Sequence, residues 1–258
     1  MKTGLIGKGA IASYVRTALE ARGHSVSAML LRPERVAENP GLYVGSVAAL
    51  PDDLDLMIDC AGHGALIEHG PAILLRGMDL ITVSLGALAD PLVYNMLEQA
   101  AGQGGARLHL ASGAIGALDC LRAARVGRLE RVTYVGRKPP TGWKGSAAEK
   151  VLDLDALHSG AQIHFEGSAR EAALRYPKNA NVAAAVALAG AGFDATQVQL
   201  IADADVSENI HEIEATGEFG SFSFQIRGQS LPDNPRSSAL AAMSVISKLE
   251  QTHQLITI

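Results

Sequence analysis

The feature that most constrains this chain is a glycine-rich turn that directly follows its first apolar segment. Residues 3–6 predict a buried strand, and the next residues read Gly7-Lys8-Gly9-Ala10-Ile11-Ala12. In this spacing the first glycine permits a tight turn, the second lets a pyrophosphate approach the backbone, and the alanine lets helix and strand pack closely. The pattern predicts a dinucleotide-binding strand, turn and helix, with cofactor contacts at Gly7, Gly9, Ala10 and Ile11.

Behind this turn, short apolar runs alternate with alanine-rich helical stretches up to about residue 111. We predict strands at residues 3–6, 25–31, 56–60, 79–82 and 107–110, and helices at 10–21, 65–74 and 91–103. Near-continuous apolar strands separated by helices are typical of a parallel sheet that is covered on both faces. The expected fold class is α/β, beginning with a Rossmann dinucleotide-binding domain over residues 1–110.

Residues 111–234 have a different pattern and predict a second α/β domain. A helix at 117–126 precedes strands in which apolar and polar residues alternate, at 131–136, 163–166, 197–203, 209–216 and 221–227. The last two strands, joined across Gly217 and Gly220, predict an antiparallel hairpin. We expect a mixed, largely antiparallel sheet that supplies the substrate site and the oligomer contacts, and a C-terminal helix at 235–258 that completes the first domain.

Charge and cysteine content exclude several classes of protein. Lys and Arg number 22 against 27 Asp and Glu, and the net charge of −5 offers no general attraction to nucleic acid or anionic lipid. Two cysteines, Cys60 and Cys120, are too few for a disulfide framework or a four-cysteine zinc site. No apolar stretch predicts a signal peptide or a membrane span. We expect a reduced, cytoplasmic protein that binds no metal, nucleic acid or membrane.

The end of the second predicted strand bears on the choice between NAD and NADP. An NAD site usually carries Asp or Glu there, roughly 20 residues after the glycine turn, to bind the ribose 2′-hydroxyl. This chain has Arg32 and Arg35 instead, without a carboxylate at the strand end. The two arginines favour a 2′-phosphate, and hence NADP or the use of both cofactors, unless they are only solvated at a helix start.

A second turn with small residues, Asp59-Cys60-Ala61-Gly62-His63-Gly64, follows the third predicted strand. Small residues let such a loop close over the adenosine side of a dinucleotide. Cys60 and Ala61 are therefore candidate cofactor contacts. A thiolate nucleophile at Cys60 is the weaker alternative, because His63 is the only base near it in the sequence.

Several longer segments carry a resemblance to a known family. They read Ala111-Ser112-Gly113-Ala114-Ile115-Gly116-Ala117-Leu118-Asp119, Arg137-Lys138-Pro139-Pro140, Phe165-Glu166-Gly167-Ser168-Ala169-Arg170-Glu171-Ala172, Tyr176-Pro177-Lys178-Asn179-Ala180-Asn181-Val182-Ala183-Ala184, Asn209-Ile210-His211-Glu212-Ile213-Glu214 and Asn234-Pro235-Arg236-Ser237-Ser238-Ala239-Leu240. With the glycine turn, they resemble the L-aspartate dehydrogenase family from the first strand to the last helix. The resemblance implies reversible NAD(P)-dependent oxidation of L-aspartate to iminoaspartate, which hydrolyses to oxaloacetate and ammonia or supplies NAD biosynthesis.

The resemblance also implies roles for single residues: His211 as the catalytic residue, and Ala114 and Asn181 as cofactor contacts. Read from the residues alone, strand alternation places His211 on one face with Ile213 and Ala215. On such an apolar face a hydrogen-bonded core histidine is the expected interpretation without the family. With the family, a neutral imidazole suits proton exchange with an amine or with an attacking water.

The substrate implied by the resemblance carries two carboxylates, so its site needs cations or hydrogen-bond donors. Most surface lysines are only solvated, and Lys178 is favoured because it lies at the start of the helix that carries Asn181. We expect the nicotinamide and the substrate to meet in a cleft between the domains. The candidate substrate-binding residues are Ser112, Lys138, Thr141, Arg170 and Lys178.

Two other functions remain open at this point. One is a related oxidoreductase that resembles homoserine dehydrogenase or dihydrodipicolinate reductase, and the other is a non-catalytic sensor that binds NAD(P). Phe219, Phe222 and Phe224 in the predicted hairpin suit a dimer interface and suit a core equally well. We expect a homodimer.

Overall fold

The computed structural model describes residues 1–177, 179–231 and 234–256, with the backbone alone for 235 and 236. The chain forms two compact units. The first comprises Met1–Ala87, Pro91–Ala111 and Ala241–Ile258, and the second comprises Leu88–Asp90 and Ser112–Leu240. The short segment 88–90 thus belongs to the second unit, and the chain returns to the first unit at residue 241, six residues after the expected position.

The first unit contains a sheet of six parallel strands in the order β3-β2-β1-β4-β5-β6. The elements are β1 Lys2–Ile6, α1 Ala10–Glu20, β2 Ser25–Leu30, β3 Tyr43–Val44, β4 Leu56–Asp59, α2 His63–Leu75, β5 Asp79–Thr82, α3 Pro91–Gly104 and β6 Leu108–Leu110. Leu5, Ile58 and Ile81 are fully buried, as strands covered on both faces require. The predicted parallel sheet is confirmed.

The strand order changes direction between β1 and β4, which are neighbours in the sheet. In open parallel sheets, ligands bind outside the carboxyl ends of the strands at such a point. The glycine turn follows β1, and the turn at Cys60 follows β4, so both predicted cofactor turns lie at this edge. The edge strand β3 was not predicted, because two residues are too few to show an alternating pattern.

The second unit contains a five-stranded sheet in the order β11-β10-β7-β9-β8. Its elements are α4 Leu118–Ala124, β7 Leu129–Lys138, β8 Ala161–Ser168, α5 Ala169–Arg175, α6 Asn181–Ala189, β9 Gln197–Asp203, β10 Asn209–Gly217 and β11 Gly220–Gly228. Only β7 and β9 pair in parallel among these neighbours, so the predicted mixed, largely antiparallel sheet is confirmed. Strand β7 continues to Lys138, two residues beyond its predicted end, and therefore carries Lys138 on the sheet.

The expected start of the C-terminal helix is wrong. Residues 234–238 form β13 Asn234–Ser238, which pairs in antiparallel fashion with β12 Ser230–Leu231, and the helix α7 is Ala239–His253. Pairing with β12 takes residues 234–238 into extended backbone, so the helix begins only after this segment. Val245 and Leu249 of α7 join the core of the first unit. No helix in the described ranges has the length and apolar character that a membrane span requires.

Candidate functional site

The turn after β1 contains two glycines, and each position favours glycine for a different structural reason. Gly7 has a φ of +95°, and a Cβ there would lie 2.9 Å from the Cβ of Ala61. At Gly9, a Cβ would meet no described atom within 4 Å. Backbone conformation and close packing therefore require Gly7, whereas the space beside Gly9 is open to a ligand.

Helix α1 begins at Ala10 with Gly9 as its N-cap, and it has no capping side chain and no acidic residue in its first turn. The first intrahelical bond of this helix joins Ser13 N to Gly9 O at 2.9 Å. The preceding N–H groups, including that of Ile11, carry the positive end of the helix dipole and suit a pyrophosphate. The residues present in this turn fit a pyridine dinucleotide.

Asp59 organises the second turn, a role that the sequence analysis missed. This fully buried carboxylate accepts hydrogen bonds at Oδ1 from the backbone N–H groups of Ala61, at 2.9 Å, and Gly62, at 3.3 Å. Its Oδ2 accepts from the hydroxyls of Thr82, at 2.8 Å, and Ser84, at 2.6 Å. Asp59 thereby fixes the turn that packs against Gly7. The available signal was an acidic residue ending a fully apolar strand immediately before a glycine turn.

Cys60 lies half-buried in this turn. Burial, and secondarily the negative charge of Asp59, raises the pKa of its thiol far above the usual range. The thiol stays protonated near neutral pH, so the structure offers no support for a thiolate nucleophile at Cys60. Its small size beside Ala61 agrees with the interpretation as a cofactor contact.

Three cations surround the end of β2, and an internal carboxylate neutralises two of them. Glu38 accepts from Lys8 Nζ at 2.8 Å and from Arg35 Nε at 2.8 Å. These two partners lower the pKa of Glu38 to about 2. Arg32 is exposed and forms no ion pair within the described ranges. Of the two arginines in the prediction, Arg32 is the one whose charge is not already compensated.

The second candidate site lies on one face of β7 and β10. The register pairs His211 with Gly136, so His211 lies between Tyr134 and Lys138, which project from the same face of β7. His211 is 4% exposed, and its Nδ1 lies 2.7 Å from the hydroxyl of Tyr134. Burial, and then the charge of Lys138, lowers the pKa of His211 to about 3. The imidazole is therefore neutral near pH 7. Tyr134 was not predicted as a site residue.

Lys138 presents its amine beside this histidine. Its Nζ lies 4.9 Å from the ring centroid of Trp143 and 3.4 Å from Oδ1 of Asn179. Trp143 is fully buried, and its Nε1 donates to the carbonyl of Ile201 at 2.9 Å, which fixes the ring under the amine. Burial lowers the pKa of Lys138 to about 8. No carboxylate forms an ion pair with Lys138 in the described part of the chain, so a bound anion is a suitable partner.

Four other predicted residues of the second unit lie on loops or at the start of a helix. Ser112 and Ala114 belong to the segment between β6 and α4, with Ala114 buried, and Asn181 is the first residue of α6. Thr141 is exposed in the turn Pro140–Trp143, which packs against Lys138, since a Cβ on Gly142 would lie 3.2 Å from the Cβ of Lys138. Lys178 lies outside the described residues.

Arg170 is already engaged within the protein. Its Nε and second terminal nitrogen donate to the two carboxylate oxygens of Asp194 at 2.6 and 2.8 Å, and its other terminal nitrogen donates to the carbonyl of Ala89. This bidentate pair raises the pKa of Arg170 and lowers the pKa of Asp194. The guanidinium ties α5 to two loops, and Asp194 already compensates its charge.

Two family profiles match the chain. The profile described as "Aspartate dehydrogenase, C-terminal" covers residues 119–252, and "Homoserine dehydrogenase, NAD binding domain" covers residues 7–111. The first contains the face of β7 and β10, and the second contains both cofactor turns. A pyridine nucleotide cofactor is consistent with both matches.

Similar proteins share these regions over their full length. An L-aspartate dehydrogenase of Ruegeria pomeroyi is 55% identical over 97% of this chain and 92% of its own length. One of Cupriavidus necator is 45% identical over 98% of both chains. The crystal structure of aspartate dehydrogenase from Thermotoga maritima has a TM-score of 0.78 at 25% identity and covers 100% of this chain and 99% of its own. A dihydrodipicolinate reductase of a Paenisporosarcina species shares the fold alone, with a TM-score of 0.55 at 14% identity over 97% of this chain and 94% of its own.

Proposed function

Since the chain belongs to the L-aspartate dehydrogenase family, we propose that it catalyses the reversible NAD(P)-dependent oxidation of L-aspartate to iminoaspartate. Water then converts the imine to oxaloacetate and ammonia. The observation that carries the proposal is the juxtaposition of a neutral imidazole, His211, and the amine of Lys138 on one buried sheet face. A proton acceptor and a cation are the two groups that oxidation of an amino dicarboxylate requires from the protein.

His211 exchanges the proton in this proposal. Its Nε2 takes a proton from the substrate ammonium group or from the water that attacks the imine, and returns it when the reaction runs towards L-aspartate. In the ligand-free chain the pKa of His211 is about 3. The negative charge of a bound dicarboxylate raises that pKa, so the imidazole becomes a better base once substrate is present. The dinucleotide, when bound, supplies the hydride acceptor.

Lys138 binds a substrate carboxylate. Its amine lies over the ring of Trp143, and its side-chain hydrogen bond within the described ranges goes to a neutral amide, that of Asn179. Hydroxyls of Ser112 and Thr141 and the cation of Lys178 are further donors for the same dianion. Ala114 and Asn181 remain proposed cofactor contacts, as the family resemblance implies.

Arg32 is the proposed determinant of cofactor choice, and we propose that the enzyme accepts both NADP and NAD. Glu38 already pairs with Lys8 and Arg35, which leaves Arg32 for a 2′-phosphate. Arg32→Ala is expected to raise KM for NADP about 10-fold, the size of one charge-assisted contact, and to leave KM for NAD unchanged. Arg35→Ala is the matched control. An unchanged ratio of the two KM values in Arg32→Ala contradicts this role.

The assembly and the cellular setting complete the proposal. Phe219 is 44% exposed, and its ring centroid lies 5.9 Å from that of Phe222 on the hairpin of β10 and β11. We propose that this apolar hairpin contributes to a homodimer in the cytoplasm and that the enzyme supplies iminoaspartate for NAD biosynthesis. Light scattering measures the first point directly: a dimer mass for the wild type and a monomer mass for Phe219→Asp are expected.

Steady-state kinetics with competing substrates tests the activity. Amination of oxaloacetate with NADH and NADPH is expected to proceed, as is reduction of NAD(P)+ with L-aspartate. Turnover of L-homoserine in place of L-aspartate would support the related oxidoreductase instead. Tight binding of the dinucleotide without turnover of any of these substrates would support a non-catalytic sensor.

A further inference from the structure

Tyr134 is buried beside His211 and forms a hydrogen bond to the ring nitrogen that faces away from the proposed reaction. We propose that Tyr134 is a positioning residue for His211: its hydroxyl holds Nδ1 in every protonation state of the imidazole and so keeps Nε2 directed at the substrate. This inference rests on the proposed function for the identity of the substrate. The hydrogen bond itself, at 2.7 Å, is a property of the chain alone.

The sheet register creates this pair. Tyr134 lies opposite Ile213, and His211 lies opposite Gly136, so the two rings are diagonal neighbours on one face. Their planes are inclined by only 19°, with centroids 6.0 Å apart. Gly136 makes room for the contact, because a Cβ at this position would lie 2.7 Å from the Tyr134 hydroxyl. A residue with a side chain at position 136 would therefore displace the hydroxyl.

A hydroxyl suits this position because it both donates and accepts hydrogen bonds. When neutral His211 carries its proton on Nε2, the Tyr134 hydroxyl donates to Nδ1. When neutral His211 instead carries its proton on Nδ1, Nε2 is the free base, and Nδ1–H donates to the Tyr134 oxygen both before and after Nε2 takes up a proton to form the imidazolium. The phenol keeps its own proton throughout, since burial raises the pKa of Tyr134 well above its usual range. The ring need not turn over as the proton on Nε2 comes and goes.

Tyr134 is also uncharged, because burial keeps its phenol protonated. Histidines that act as bases are often oriented by a carboxylate, which also stabilises the imidazolium. A carboxylate at this position would repel a dicarboxylate substrate and would compete with it for Lys138. A neutral phenol orients the imidazole without these costs, which fits a site where the substrate itself brings two negative charges.

The same unit contains a matched pair for comparison. Tyr176 is as deeply buried as Tyr134, and its hydroxyl lies 3.1 Å from Nδ1 of His164. There, Nε2 of His164 is buried without a hydrogen-bond partner among the described residues. The second pair therefore ends in the core. Tyr176→Phe removes the same atom from a comparable environment and serves as the control.

The experiment compares Tyr134→Phe with Tyr176→Phe in the full-length enzyme. We expect Tyr134→Phe to lower kcat for L-aspartate oxidation at least about 10-fold while KM for L-aspartate and Kd for NADH change less than about 2-fold. Tyr176→Phe is expected to keep kcat within about 2-fold of the wild type. Wild-type kcat in Tyr134→Phe, or parallel losses of kcat in both variants, would overturn the proposal.

Nitrogen-15 NMR of histidine-labelled protein supplies a readout that does not depend on activity. In the wild type, the Nδ1 signal of His211 is expected at a shift typical of a hydrogen-bonded ring nitrogen, and Tyr134→Phe is expected to move it. Gly136→Ala retains both side chains and displaces the hydroxyl, so it should move the same signal even if Tyr134→Phe does not fold. An unshifted His211 signal in Gly136→Ala overturns the proposal. If the wild type shows this NMR signal but does not turn over L-aspartate, the proposed function is refuted and the proposed role of Tyr134 in orienting His211 is not.

Discussion

The turn after β1 and the face of β7 and β10 recognise their proposed ligands with different parts of the chain. The turn offers backbone N–H groups and the empty space beside Gly9. The sheet face offers the side chains of Tyr134, Lys138 and His211, which strand register brings together. A site formed by backbone groups and by glycines depends on the local conformation of a few neighbouring residues. A site formed by side chains from different strands depends on which strands pair.

The largest effect is expected when the proton acceptor is removed from the sheet face, because the dinucleotide turn should then still bind its ligand. His211→Ala is expected to lower kcat by a factor of about 10² to 10⁴, because proton exchange with the amine or the water is lost. Kd for NADH, measured by fluorescence titration, should remain within about 2-fold of the wild type, because the turn after β1 is unchanged. The exposed residue His158 provides the control as His158→Ala. Near-wild-type turnover in His211→Ala would refute the assignment.

A converse change fills the empty space in the turn. Gly9→Val meets no described protein atom at its Cβ and adopts an ordinary extended backbone, so the Tm should change little. Its side chain occupies the path of the pyrophosphate, and we expect Kd for NADH to rise about 100-fold, or about 2.7 kcal/mol.

Gly7→Ala is the contrasting variant in the same turn. Its φ of +95° and the approach to Ala61 predict a lower Tm. Equal losses of Tm in Gly9→Val and Gly7→Ala would show that both glycines serve packing, and the distinction between them would then be wrong.

The smallest expected effect concerns the charge of Lys138. Its pKa of about 8 means that the amine is charged below pH 8 and neutral above it. The value of kcat/KM for L-aspartate is therefore expected to fall as pH rises through 8, by about 10-fold per pH unit at most. Lys138→Met should have a lower kcat/KM at pH 7 and lose this alkaline limb, while exposed Lys144→Met should retain both. An alkaline limb that persists in Lys138→Met assigns it to another group.

Local sequence patterns predicted five of the six strands of the first sheet and all five strands of the second, but missed β12 and β13. Glycine spacing and apolar runs located the turn after β1 and five of the six parallel strands, because these features arise within a few neighbouring residues. The strands β3 and β13 were not predicted. Their own sequences show no strand pattern, and they are strands because they pair with β2 and β12. The helix predicted from residue 235 begins only at Ala239, because residues 234–238 pair with β12 instead.

The residues of the candidate sites divide in the same way. His211 was found through the family resemblance and its alternating strand, but its partner Tyr134 lies 77 residues away in the sequence. Asp59 was read only as part of a small-residue turn, because its four hydrogen bonds include groups from the neighbouring strand end. Arg170 was considered for substrate binding as a free cation, and only the structure brings Asp194 to it.

The sequence by itself determined the fold class, the dinucleotide turn and the family, since each is written in contiguous residues whose spacing carries the physical constraint. Tertiary structure decided which side chains meet. Strand pairing sets Gly136 opposite His211 and so lets the Tyr134 hydroxyl reach the imidazole, and burial then sets the charge states of His211 and Lys138. Contacts between distant residues and the loss of water around them arise only when the chain has folded.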